Sequence, residues 1–141
     1  YPELNIILNG GLRTPADVSS ALEKFDGVMI GRAAYQNPMI LREIETSLYG
    51  TQNLHDIRDI IGQMADYASA EYDRYGTPVK SVARHMIGLF QGVPGARLWR
   101  QSLSPLRPEN FGISHAGDGR VLLRIYDSLF SDNENLQEKV A

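Results

Sequence analysis

The sequence predicts an α/β fold followed by an all-α one. Two short apolar runs, each leading into a helical pattern, fill residues 1–50, and no strand signal follows them. From residue 51 onward the apolar residues recur only at helical spacing. Hydrophobic residues make up 43% of the chain and charged residues 22%, which is the composition of a packed domain and not of a disordered segment.

Asn5–Asn9 is apolar at its centre and ends in Gly10-Gly11, the pattern of a buried strand and a tight turn. Thr14-Pro15-Ala16-Asp17 then opens a helix. Thr accepts from the first free N–H groups, Pro has a helical φ, and Asp suits the positive helix end. Val18, Ala21, Leu22 and Phe25 supply its apolar face. Gly27–Gly31 reads as a second buried strand. Asn37-Pro38 opens a second helix carrying Ile40, Leu41, Ile44 and Leu48, with Gly50 as its stop.

This alternation is the βαβ pattern of a parallel sheet, and strands apolar throughout call for cover on both faces. Two strands cannot provide it. A complete (β/α)8 TIM barrel needs about 250 residues, so residues 1–50 are expected to be its last two βα units. The chain starts Tyr1-Pro2-Glu3 without Met, as expected of a piece of something longer.

Residues 51–141 are expected to form a small four-helix bundle. Asn53 caps a long helix to about Tyr75, with Ile57, Ile60, Ile61, Met64, Ala68 and Tyr72 along one stripe and Gly76 at its end. Thr77-Pro78 begins a second helix, with Val79, Val82, Ala83, Met86, Leu89 and Phe90 inward, broken by Gly92-Val93-Pro94. A shorter third helix carries Ala96, Leu98 and Trp99 to about Leu103. After a Pro/Gly-rich passage from Ser104 to Gly119, Val121, Leu122, Ile125, Tyr126 and Leu129 line the fourth. The last ten residues are polar and expected to fray.

The chain has no Cys, which excludes disulfides, zinc–thiolate sites and cysteine nucleophiles within it. No apolar run reaches the roughly 18 residues of a membrane span. No Ser/His/Asp set and no paired carboxylates stand out, and His55 and His115 lack metal-ligand spacing, so no catalytic or metal residue is assigned. The charge is distributed unevenly. Arg74 to Pro108 holds Arg74, Lys80, Arg84, Arg97, Arg100 and Arg107 with His85, and all 17 acidic residues lie elsewhere. Such a block suits a localised anionic partner, or else is a solvated basic face.

Asn9-Gly10-Gly11 and Gly31-Arg32 each follow a parallel strand. Glycine lets backbone N–H groups approach a phosphate and Arg adds a fork of donors, although two ordinary tight turns would read the same way. Lys80 and Arg84 share a helical face beside His85, and Arg97 and Arg100 share another, so the two helices could grip a phosphate backbone. Trp99 between the two arginines points elsewhere and is read as core.

Three segments carry a resemblance. They are Ile7–Gly11, Asp26–Pro38, and His85–Gly92 continuing through Pro94–Arg100. Over nearly its whole length the chain resembles the tRNA-dihydrouridine synthases, most closely their A class. The first two segments occur in many flavin barrels, and the third is the more specific.

The resemblance implies a flavin enzyme that reduces D-loop uridines of tRNA, with FMN as cofactor and NADPH as reductant. Carried onto this chain, Asn9, Gly10, Gly11, Gly31 and Arg32 would bind FMN, mainly its phosphate. Arg97 and Arg100 would contact tRNA, with Lys80, Arg84 and His85 added from charge spacing alone. The family's proton donor is a cysteine, which this chain lacks. The chain by itself is therefore expected to be inactive and to need the N-terminal barrel half. A cytoplasmic location is expected from the resemblance, not from composition. Open strand edges lead us to expect that the isolated piece dimerises, swaps elements or leaves residues 1–50 poorly ordered. A free-standing helical RNA-binding module and a protein-binding bundle with a basic face are the competing readings.

Overall fold

The computed structural model describes residues 3–51 and 56–130. The chain divides into two compact units, Tyr1–Leu54 and His55–Ala141.

The first unit is α/β. Strands β1 (Ile7–Asn9) and β2 (Gly27–Met29) pair in parallel, with Ile7 opposite Gly27, Leu8 opposite Val28 and Asn9 opposite Met29. Below the paired segment, the Asp26 N–H donates to the Ile6 carbonyl and the Asp26 carboxylate accepts from the Ile6 N–H at 2.8 Å. Helix α1 (Pro15–Leu22) begins with the cap its sequence announces. Thr14 Oγ1 accepts from the Asp17 N–H, and Asp17 accepts in return from the N–H groups of Thr14 and Arg13.

Between β2 and the next long helix lies α2 (Arg32–Gln36), a short helix for which the apolar spacing carries no signal. Helix α3 (Ile40–Tyr49) ends at Gly50, whose φ of 63° is the left-handed conformation of a helix stop.

Val18, Ile40 and Ile44 form the core of this unit, with Leu22, Val28, Ile30 and Leu48 packed against it. Alternation along the strands turns the other residues away. Ile7 and Met29 are about half exposed or more for this reason, and Ile6, just before β1, is exposed as well. The apolar strands thus have cover on one face only. Leu41, which apolar spacing puts on the inward face of α3, is also exposed.

The second unit is helical. Helix α4 (Ile57–Tyr75) buries Ile57, Ile61, Ala65 and Ala68. Asp56 caps it by accepting from the Arg58 N–H, and Gly76 closes it in the left-handed conformation. Asn53, the expected cap, lies outside the described residues, as do His55 and the polar C-terminus.

The second expected helix is cut short. Helix α5 covers only Val79–Ala83, and residues 84–94 run as successive turns closed by bonds such as Met86 N–H to Ala83 carbonyl and Leu89 N–H to Met86 carbonyl. Met86, Leu89 and Phe90 are buried all the same. Burial selects these residues, and turns satisfy it as well as a helix does.

Helix α6 (Ala96–Leu103) follows, and a 3₁₀ turn at Pro108–Phe111 interrupts the Pro/Gly-rich passage after it. Helix α7 (Arg120–Phe130) buries Val121, Leu122, Ile125 and Phe130 and packs against both α4 and α6. A paired contact between the Arg58 guanidinium and the Asp127 carboxylate, at 2.8 and 2.9 Å, joins α4 to α7 at the surface. Arg124 of α7 donates to the Phe111 and Gly112 carbonyls. The N–H of Gly119 donates to Ser69 Oγ at 2.9 Å, pinning the start of α7 to α4.

Candidate functional site

In the first unit the register places Asn9 opposite Met29, so both strands end at the same sheet edge. Asn9, Gly10 and Gly11 leave that edge from β1, and Gly31 and Arg32 follow β2 after Ile30. The structure therefore brings these five sequence-predicted residues to one edge, and all five are exposed.

Gly10 and Gly11 have φ of 102° and 79°, which L side chains rarely adopt, while a Cβ at either would meet nothing within 4 Å. Their requirement is conformational and leaves open space over the backbone. The Asp17 carboxylate anchors the loop's far end through the N–H of Arg13, and that bond is the first cause holding its pKa below the usual carboxylate range. Arg32 starts α2 with its side chain exposed, and no ion pair holds it among the described residues.

Open glycine backbone plus an uncommitted guanidinium is a donor set that fits a phosphate group. Two buried side-chain atoms of the same unit, Asn37 Oδ1 and Arg42 Nε, lack hydrogen-bond partners. Sequence patterns single out neither as a site, because an unmet hydrogen bond has no sequence signature.

In the second unit, Val79, Val82 and Ala83 are buried, leaving Lys80, Arg84 and His85 outward. Arg84 Nε donates to His85 Nε2 at 3.1 Å. On α6, Ala96, Trp99 and Leu103 are buried while Arg97 and Arg100 are exposed. Trp99 is fully buried, edge-on to Phe90 with ring centroids 5.0 Å apart, so it is core and not a platform for bases. Its Nε1 donates to the carbonyl of Met86, the residue after His85. That bond ties the cation-bearing α6 to the end of the Lys80–His85 segment.

His115 takes a structural role. Its Nδ1 accepts from the Gly117 N–H, and its ring lies edge-on to Tyr72 at 4.8 Å. Among the described residues no group of three metal-ligating side chains converges, and no helix is long and apolar enough to cross a membrane.

Comparison with known proteins places the chain. The family model for dihydrouridine synthase matches residues 2–110. The tRNA-dihydrouridine(20/20a) synthase of Shewanella oneidensis is 44% identical over 105 residues, covering 74% of this chain and 31% of that protein. The proteins of the same name from Escherichia coli K12 and Haemophilus ducreyi are 40% and 42% identical over the same share of this chain, covering 30% and 32% of their own lengths. The chain thus spans about a third of the length of these relatives. On the family match, which covers most of its residues, this chain belongs to the dihydrouridine synthase family.

Proposed function

We propose that this chain is the part of an FMN-dependent tRNA-dihydrouridine synthase that holds the flavin's phosphate and docks tRNA. Residues 1–50 act as the last two βα units of the TIM barrel, and residues 51–141 as the helical tRNA-binding domain, a compact bundle. The observation that carries the first role is the parallel register, which sets Asn9, Gly10, Gly11, Gly31 and Arg32 at one sheet edge with open backbone. The acid-free stretch from Arg74 to Pro108 supports the second.

The relatives' shared name supports uridines 20 and 20a of tRNA as the targets. When bound, FMN supplies the hydride for the uracil ring after reduction by NADPH. This chain's own contribution is binding and positioning. Glycine N–H groups would donate to the phosphate and Arg32 would offset its charge, while Arg97 and Arg100, flanked by Lys80, Arg84 and His85, would take the RNA backbone. The chain holds no thiol, so it lacks the family's proton donor and is inactive alone. The outer edges of β1 and β2 are where further barrel strands, or a second copy, would pair.

The test is tRNA binding across a salt series, for the chain and its Arg97→Ala/Arg100→Ala variant. Each phosphate deprived of its cation reduces the log–log slope by about 0.7 to 0.9. Removing both arginines should flatten it by roughly 1.4 to 1.8 if each meets one phosphate. Equal slopes would sink the docking role. The alternative, a free-standing helical RNA-binding module, predicts the same slopes but no FMN binding by this chain joined to the rest of a relative's barrel.

A further inference from the structure

We infer that the outer face of α6 recognises an unpaired nucleotide of the RNA, with Leu98 and Gln101 as the residues that distinguish it from paired RNA. The inference rests on the tRNA-docking reading and goes a step beyond it.

At 100° per residue, burial of Ala96, Trp99 and Leu103 turns Arg97, Leu98 and Gln101 outward, with Arg100 exposed at the flank of the buried face. Leu98, which apolar spacing groups with the core residues of this helix, is 52% exposed. A single exposed leucine is ordinary on a protein surface. This one lies three residues from Gln101, which in turn lies four residues from Arg97, so the three form one continuous patch. The orientation is set firmly, because Trp99 is fully buried and hydrogen-bonded through its indole.

The patch is more than a grip for phosphates. Duplex RNA offers a protein mainly phosphates, 2′-hydroxyls and shape, whereas an unpaired nucleotide also exposes an apolar base face and a free hydrogen-bonding edge. Leu98 meets the first of these needs. Gln101, with an amide donor and an amide acceptor on one side chain, meets the second. The flanking arginines neutralise the adjacent phosphates, and no carboxylate between Arg74 and Pro108 opposes them. The two arginines on this helix, in a stretch without a carboxylate, favour a polyanion over a neutral protein surface as the occupant.

The test compares the chain with its Leu98→Ala, Gln101→Ala and Arg97→Ala/Arg100→Ala variants. Binding is measured to an unmodified tRNA transcript and to a fully paired RNA hairpin of the same length. Ala, Leu and Gln are all good helix formers and both positions are exposed, so far-UV circular dichroism should not change. Leu98→Ala and Gln101→Ala should each weaken tRNA binding by roughly two- to tenfold, the worth of a single modest interaction. They should leave the salt slope and hairpin binding unchanged, while the double arginine variant flattens the slope on both RNAs. Equal weakening on the two RNAs, or none on tRNA, would overturn this inference and leave the docking role standing on the arginine result. Failure of the unaltered chain to bind either RNA would overturn both.

Discussion

The indole Nε1 of Trp99 donates to the main-chain carbonyl of Met86 at 2.8 Å, across thirteen residues of chain. The same carbonyl accepts from the Leu89 N–H, so one oxygen organises both the turn after His85 and the seat of α6. The bond joins the two cation-bearing segments through a core residue that touches no ligand.

Trp99→Phe should keep the aromatic packing against Phe90 and Phe130 while removing the indole bond and some volume. Because Met86 keeps its bond from Leu89, the expected destabilisation is about 1–3 kcal/mol, measured by urea unfolding. A variant as stable as the parent would mean that the bond does not hold α6.

Two glycine substitutions should move stability in opposite directions. A Cβ at Gly119 would collide with the Ala65 carbonyl, so Gly119→Ala must displace the start of α7 from α4. The expected cost is about 2 kcal/mol or more, read from urea unfolding. Gly62, inside α4, has nothing within 4 Å of an added Cβ, and Gly62→Ala should stabilise by roughly 0.5–1 kcal/mol. A shared sign would contradict this packing.

The α1 cap should be acid-sensitive. Hydrogen bonds from Arg13 and Thr14 lower the Asp17 pKa, so its contribution is full above the ordinary carboxylate range and is lost as pH falls through the depressed folded value. Asp17→Asn should therefore be less stable than the parent at neutral pH, with the gap closing under acid. Thermal melts at several pH values read this directly, and a gap constant with pH would refute it.

The Arg58–Asp127 pair should matter little despite its good geometry. Both side chains are exposed, at 53% and 38%, so solvent screens them. Arg58→Ala should cost at most about 1 kcal/mol, shrinking in high salt. A larger cost that persists in molar salt would mean that the packing of α4 on α7 depends on this pair.

What could be read from the sequence was local. Thr14, Pro15 and Asp17 announce α1 because a cap is satisfied within three residues. Gly50 and Gly76 mark helix ends because only glycine adopts the left-handed φ at no cost. The start of α6 follows from the Gly92-Val93-Pro94 break and the stripe of α7 from apolar spacing, and the clustering of cations is visible without any structure. The family itself was legible in three short segments.

The tertiary structure decided what depends on distant partners. Periodicity runs a helix through Phe90, but the chain turns after Ala83, since buried side chains on successive turns keep the same inward pattern. The same arithmetic counts Leu98 with Trp99, although one residue of rotation carries it to the surface. Where two segments meet, as at the common edge of β1 and β2 or between Trp99 and Met86, the information lies in both at once. The amino-acid order determined which short segments could cap, turn and bury. Folding alone, through hydrogen bonds and packing between segments far apart in the chain, decided which of their faces were left to meet a ligand.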